Sequence, residues 1–153
     1  MPINVVTPYL SIAEAQVYFN QRLSVECWDD ASVADKNAAL AQATIAIDNI
    51  NFRGLKTSST QERQFPRDAD TEVPQDVLGA VCEEVLTLLE YIDSRKEFEN
   101  LSLVSLGYAN VKSTYDRSSL PLHVLAGLTS STAYIKLKPY IRSGQNLDVY
   151  RVS

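Results

Sequence analysis

The segment from Val73 to Ile92 constrains the fold most, because as a helix it is apolar around most of its circumference. Its large apolar side chains recur at helical spacing. It begins with Val73-Pro74, and a proline is tolerated in the first turn of a helix because the backbone amide that it lacks would have no acceptor there. The main stripe consists of Val77, Val81, Val85, Leu88 and Ile92, widened by Leu78, Cys82 and Leu89; Asp76, Glu83, Thr87 and Glu90 form a polar line. A helix of this kind must be covered on most sides, which predicts the central helix of a bundle with Cys82 as a core residue.

Two capped helices precede this segment. Ser11 and Glu14 form an S-x-x-E capping box, followed at helical spacing by Ile12, Ala15, Phe19 and Leu23. The second helix is capped by Ser32 and predicted to end near Asn51. Its many alanines let a neighbouring helix approach closely, either inside the fold, which we favour, or across a subunit boundary.

The C-terminal part predicts further helical structure. Pro121 lies near a helix start, and Leu122, Leu125 and Leu128 fit one helical face. The hydroxyl residues 129–132 supply a cap for a last helix that runs through Leu137 and ends at Pro139. The fold class is therefore mainly α, a bundle of about four helices.

Residues 101–115 depart from the helical pattern. Their β-branched and aromatic residues surround Gly107 and Asn110, which predicts a β-hairpin. Such a ribbon must pack on the helices or pair outside the subunit. Residues 143–153 form a C-terminal tail that alternates around Leu147, Val149 and Val152. It is interpreted either as a strand added to a partner's sheet or as a frayed terminus. We expect one domain over 1–142, followed by this extended tail.

Residues 55–73 show no helical or strand periodicity, and a loop of that length is usually functional or ordered by a partner. Pro66 favours an extended Phe65, whose ring is free to leave the loop and anchor it on a hydrophobic surface. Trp28, between Cys27 and two aspartates, is interpreted as a loop residue tucked under the core.

Composition excludes several classes of protein. The 153 residues include only 5 Gly and 6 Pro, which argues against a many-stranded barrel. Two distant cysteines and one histidine, His123, do not make a zinc site without carboxylates. No nucleophile elbow or phosphate-binding glycine loop is present. We therefore expect no enzyme, no cofactor and no metal, and a chain made in a cytoplasm without a membrane segment.

Charge is distributed unevenly along the chain. The net charge is −5; residues 1–111 carry −9 and residues 112–153 carry +4. An acidic body is a poor partner for phosphates and suits a surface that DNA passes without sticking. The basic segment suits docking on an acidic neighbour; the alternative is chance clustering on a solvated surface.

The order of these segments resembles the head-to-tail connector (adaptor) proteins of tailed bacteriophages, including the group often labelled DnaT-like single-stranded-DNA-binding. The similarity covers about residues 8–142, and its most distinctive part is the F-P-R of 65–67 after Arg53-Gly54 and before the Val73-Pro74 helix. The other matching segments are Tyr9-Leu10-Ser11, Trp28-Asp29-Asp30, Gly107–Tyr115 and Leu137–Ile141.

The resemblance implies a structural virion protein of the neck, synthesised in the host bacterial cytoplasm. About twelve copies would form a ring beneath the portal protein, extend the DNA channel and dock the stopper or tail, and genomic DNA would pass without specific binding. It implies that the C-terminal segment grips the portal, with candidates Lys136, Lys138, Tyr140, Arg142, Leu147, Val149 and Tyr150.

Other roles are assigned to single elements. Phe65 and Arg67 are candidates for anchoring the long loop, within the subunit or on the next one; for Arg67 the alternative is a solvated side chain. Gly107, Tyr108 and Asn110 are candidates for a hairpin facing the lumen or tail, or for a brace within the subunit.

Two alternatives stay open. One is a single-stranded-DNA-binding replication accessory protein, although an acidic chain with few basic and aromatic clusters lacks the positive groove that such binding uses. The other is a tail-completion or terminator protein, which would contact the tail tube.

Overall fold

A computed structural model describes residues 5–90, 103–106, 113–115 and 121–142 of the chain. These residues form a helical bundle, which confirms the mainly α class. Six helices lie in the described part, more than the four expected, because two are single turns. They are α1 (Ile12–Phe19), α2 (Glu26–Asp29), α3 (Val33–Asp48), α4 (Gln75–Leu89), α5 (Leu122–Leu125) and α6 (Ser131–Leu137).

Helix α4 lies at the centre, as its apolar circumference predicts. It packs mainly against α3 and α6 and touches α1 and α2. Val77, Val81, Cys82 and Val85 are fully buried on it. Ala39 and Ala43 of α3 are also buried, so these two small side chains serve close packing inside the subunit, whereas Ala34 and Ala38 are exposed.

The helix starts agree with the capping signals. The Ser11 hydroxyl accepts a hydrogen bond from the Glu14 amide, and Glu14 accepts one from the Ser11 amide, which completes the capping box. Ser32 accepts from the Asp35 amide at the start of α3. Ser130 does the same for Ala133 at the start of α6. Pro74 directly precedes α4.

The first connection differs from its prediction. α1 ends at Phe19, so Leu23 falls outside the helix and is exposed. Trp28 is fully buried, but it lies in the short helix α2 and not in a loop. Its ring packs 4.6 Å from that of Phe19, and its Nε1 donates to Gln16. The need to bury this ring ties α2 to the core.

α3 ends at Asp48 with Asn49 as its C-cap, close to the end predicted near Asn51. Another helix prediction was wrong in part. Leu122 and Leu125 are exposed, because α5 is a single turn that buries Val124 instead. Leu128, after the turn at Gly127, is buried in the core as expected.

Two short segments, β1 (Leu103–Leu106) and β2 (Ser113–Tyr115), pair antiparallel with an irregularity between Leu103 and Ser105. The residues between them and the tail 143–153 lie outside the described residues, so the complete hairpin and the extended tail stay predictions. No helix in the described ranges is long and apolar enough to cross a membrane.

Candidate interaction surfaces

The long loop is held to the body by a polar network at its base. The Asp48 carboxylate, at the end of α3, accepts from the Tyr9 hydroxyl and pairs with Arg63 at 2.9 Å. The Tyr9 oxygen in turn accepts from the amides of Gln64 and Phe65. Burial, and then the bond to Asp48, raise the pKa of Tyr9, which therefore stays protonated and donating at neutral pH.

Phe65 anchors the loop within its own subunit. Its ring is buried, 4.7 Å from the Phe52 ring and 5.6 Å from the Tyr140 ring, both edge-on. The bond from Phe65 to Pro66 is cis. Of the two anchoring roles expected for Phe65, the structure therefore shows the one inside the subunit.

Arg67 clamps the loop onto its own backbone. Its guanidinium donates to the carbonyls of Arg53 and Gly54 and to the Gln64 side chain. Asp68 closes the same turn, because its carboxylate accepts from the Leu55 amide. Gly54, with φ +77°, is required there, since a β-carbon would overlap the Asp68 carboxylate. Arg67 is thus a structural clamp and not a solvated side chain.

The C-terminal segment returns to the body after α6. The Arg53 amide donates to the Tyr140 carbonyl, and the Arg142 amide donates to the Asn51 carbonyl. Tyr140 packs on Phe65, and Lys136 lies across Gly79 of α4. Residues 136–142 are therefore held against their own subunit. Of the portal candidates in this stretch, Lys138 and Arg142 are the exposed ones.

This return creates a shallow depression of about 530 Å³, which we call the basic hollow. Two exposed cations, Arg53 and Lys138, flank the half-buried Tyr134 and the exposed Ile135. Pro139 and Ile141 complete the lining, and Arg142 follows directly in the chain. The hollow combines positive charge with apolar and aromatic surface.

An exposed acidic surface lies at the start of α3, and we call it the acidic end. It contains the exposed carboxylates of Glu26, Asp29 and Asp30 at α2 and of Asp35 in the first turn of α3, together with Val33, which is 67% exposed. Lys36 lies nearby, but its ammonium sits over the Trp28 ring, 5.0 Å from the centroid.

The basic hollow and the acidic end lie at opposite ends of the bundle. Arg53 follows the C-terminus of α3, and the acidic end surrounds its N-terminus. The 16 residues of α3 span about 24 Å at ~1.5 Å per residue. The central helix agrees: Cys27 contacts the Leu86 carbonyl near the end of α4, and Tyr140 lines a depression with Pro74 at its start.

Two adjacent carboxylates on α4, Glu83 and Glu84, are both buried but differ in their hydrogen-bond partners and in the direction of their pKa shifts. Glu83 accepts from the Tyr18 hydroxyl and pairs with Arg22 at 2.9 Å. Burial alone would raise the pKa of Glu83, but these bonds and the Arg22 charge outweigh it and lower the pKa.

Glu84 forms no ion pair within the part of the chain that the structure describes. Its carboxylate accepts from the amides of Thr129 and Ser130 and from the Thr129 hydroxyl, at 2.9–3.2 Å. Burial raises the pKa of Glu84 despite these donors. This carboxylate joins the central helix to the start of α6 and is a structural link.

A second depression, of about 450 Å³, lies between α1 and α4. Its lining includes Leu10, Val17, Tyr18 and Leu78, and Val17 is 63% exposed. Cys82 lies beneath it, and burial raises the pKa of that thiol to about 12, so it stays neutral.

The described residues show no arrangement for metal or nucleophilic chemistry. No group of three metal-binding side chains occurs among them. His123 lines a polar cleft with Arg22, Glu83 and Thr129. Within the described ranges, no hydroxyl or thiol hydrogen-bonds its imidazole.

Six of the predicted site residues lie outside the described residues: Gly107, Tyr108, Asn110, Leu147, Val149 and Tyr150. Sequence reasoning missed Arg53, Tyr134 and Ile135, which only the return of the chain brings together. It also placed Glu83 on a polar line of the central helix, where the structure shows its side chain buried. Glu84 carried a readable signal, since it lies seven residues after Val77 on the apolar stripe.

Comparison with known proteins gives one family match. A family model described as "Putative DnaT-like ssDNA binding protein" matches residues 6–152. No curated protein and no solved structure matches the chain.

Proposed function

The chain belongs to the family described as "Putative DnaT-like ssDNA binding protein", and from that premise we propose that it is a head-to-tail adaptor of a tailed bacteriophage. In this role about twelve copies form a ring beneath the portal protein, extend the DNA channel and present a docking surface to the stopper or tail. The proposal rests on the resemblance of segment order to connector proteins together with the charges of the body.

The observation that carries the proposal is the fate of the basic side chains. The described residues include 14 acidic and 9 basic side chains. Arg22 and Arg63 form ion pairs with carboxylates, and Arg67 donates hydrogen bonds to backbone carbonyls. The Lys36 ammonium lies over the Trp28 ring. A body of this kind offers few cations to phosphates, as a channel wall must if DNA is to move along it.

Only some of the residues predicted to contact the portal remain available for that contact on the described body. Lys138 and Arg142 are exposed on the described body, whereas Tyr140 is packed on Phe65 and Lys136 on Gly79. We assign the reaching part of the segment to Leu147, Val149 and Tyr150. Gly107, Tyr108 and Asn110 keep their proposed role at the lumen or tail side.

The test is the composition and cross-linking of purified virions. We expect the polypeptide in the particle in a copy number close to that of the portal, with cross-links from Lys138 to the portal protein. Its absence from particles that carry the portal would overturn the proposal. Cross-links to the tail tube without any to the portal would indicate a tail-completion protein instead.

Binding to single-stranded DNA is the second candidate, and one observation favours it. The basic hollow places the Tyr134 ring beside Arg53 and Lys138, a small version of the stacking and charge that such proteins use. Filter binding of an oligonucleotide at low salt separates the two. The adaptor role predicts retention no greater than that of a charge-matched control protein; strong retention lost on Arg53→Glu supports the DNA-binding role.

A further inference from the structure

The two ends of the bundle carry opposite charge and matching apolar groups. The basic hollow presents Arg53 and Lys138 around Ile135, and the acidic end presents Asp29 and Asp30 beside Val33. We propose that the basic hollow of one copy receives the acidic end of a second copy, head to tail. This inference rests on the proposed function, because it names the contact between neighbouring subunits of that ring.

The surfaces complement each other in two ways. Three exposed cations at one end (Arg53, Lys138 and Arg142) face four exposed carboxylates at the other, which favours encounter and register. Ile135 and Val33 are each 67% exposed. Burying them against each other removes apolar surface that the charges alone would leave in water.

The basic hollow and the acidic end of one copy are too far apart to contact each other. About 24 Å of α3 separates them, well beyond contact distance. The two surfaces also differ, so their contact is heterologous and generates a ring or an open chain rather than a two-fold dimer. A second copy is therefore the occupant that the charges of this chain favour.

Zero-length cross-linking tests the contact directly. A carbodiimide joins a lysine to a carboxylate without a spacer, and therefore only where the two groups come into contact. In a mixture of ¹⁵N-labelled and unlabelled protein at low salt, we expect Lys138 joined to Asp29 or Asp30 in peptides that combine the two labels. The separation within one copy excludes the same product as an intramolecular one.

Charge reversal supplies the second arm. The variant Arg53→Glu with Lys138→Glu has two negative ends, and the variant Asp29→Lys with Asp30→Lys has an end that has lost its net negative charge. In each variant alone, the association measured by sedimentation at high concentration should fall by about tenfold or more, since the charges no longer complement each other. An equal mixture should recover association, because the unchanged acidic end of the first variant then meets the unchanged basic hollow of the second.

The matched control is Glu62→Lys with Glu72→Lys, which changes the net charge as much as the acidic-end variant at two exposed positions away from it. It should associate like the unchanged protein. Far-ultraviolet circular dichroism checks that every variant is folded.

Several outcomes overturn the inference. They are cross-links from Lys138 that all fall on other regions, failure of the mixture to recover association, and loss of association in the control. Retention of single-stranded DNA by the basic hollow in place of self-association also overturns it. If the protein is present in virions but the mixture of charge-reversal variants does not associate, this contact alone is refuted. If the protein is absent from virions, the adaptor role is refuted whatever the mixture shows.

Discussion

At the residue scale, Glu84 shows how a carboxyl group is accommodated on an apolar helix. Three donors from residues 129–130 surround its carboxylate. The two amides among them would be unsatisfied without it, because they lie at the buried start of α6, where backbone amides have no helical acceptor, whereas the Thr129 hydroxyl also contacts the Thr87 hydroxyl. The carboxylate is thus a cap supplied from another helix.

Replacing Glu84 therefore has a definite expected cost. Glu84→Ala leaves two buried amides without acceptors and should lower the free energy of unfolding by about 2–4 kcal/mol. Glu84→Gln keeps one acceptor oxygen and should cost roughly half as much. Urea denaturation measures both, with Glu72→Ala as an exposed control expected within about 0.5 kcal/mol of the unchanged protein. Equal effects of all three changes would contradict the capping role.

Glu83 and Glu84 contribute to the free energy of unfolding with opposite dependences on pH. Burial raises the pKa of Glu84, so its native state binds the proton more tightly, and its contribution is present at low pH and lost as pH rises through the raised pKa. The pKa of Glu83 is lowered, so its contribution is lost as pH falls through that pKa. Stability measured against Glu84→Gln and Glu83→Gln should therefore change with pH in opposite directions.

The sequence predicts local features of residues better than their distant partners. The capping serines and the burial of Cys82 follow from spacing alone, and the structure has them. The Glu84 cap joins residues 45 positions apart, and no local pattern at Thr129 indicates its acceptor. Arg67 likewise binds carbonyls whose position depends on the whole path of the loop.

At the element scale, the long loop between α3 and α4 is ordered without helices or strands. Two isolated bridges, Lys56 with Arg67 and Phe52 with Ile141, are its regular pairings among the described residues. Its order comes from the Phe65 ring and the network at Asp48. Length alone suggested a partner, but here the subunit itself supplies the anchoring surface.

Removal of the Phe65 ring should therefore release the loop. Phe65→Ala creates a cavity between Phe52 and Tyr140 and should lower the free energy of unfolding by about 3–4 kcal/mol. Limited proteolysis should then cut within 55–70 under conditions where the unchanged protein is intact. Leu55→Ala, in the same loop at 79% exposure, should leave both measurements unchanged. Cutting in this control alone would show that the ring does not hold the loop.

The element boundaries show where periodicity stops being informative. The apolar circumference of α4 specified a central position, because nearly any bundle must bury it. Residues 122–128 carry three leucines at helical spacing, but α5 is a single turn next to Gly127 that directs Val124 inward in place of Leu122 and Leu125, and Leu128 is buried beyond it. Short helices take their orientation from the chain that enters and leaves them.

At the scale of the whole molecule, the contact proposed between copies is mostly between exposed charges. Such pairs contribute little each and are screened by salt. We therefore expect the isolated protein to sediment mainly as a helical monomer at micromolar concentration and physiological salt. Association should rise at low salt and high concentration, and a portal template would raise the local concentration further. A stable dodecamer that persists in high salt would contradict a charge-based contact.

The backbone bonds that join Tyr140 and Arg142 to Arg53 and Asn51 have a mechanical consequence. A pull on the chain beyond Arg142 arrives at the end of α3 and beside the Phe65 ring, not at a free end. The core therefore shares the force before α6 detaches from it. A partner that binds the C-terminal segment would thus transmit force to the whole subunit.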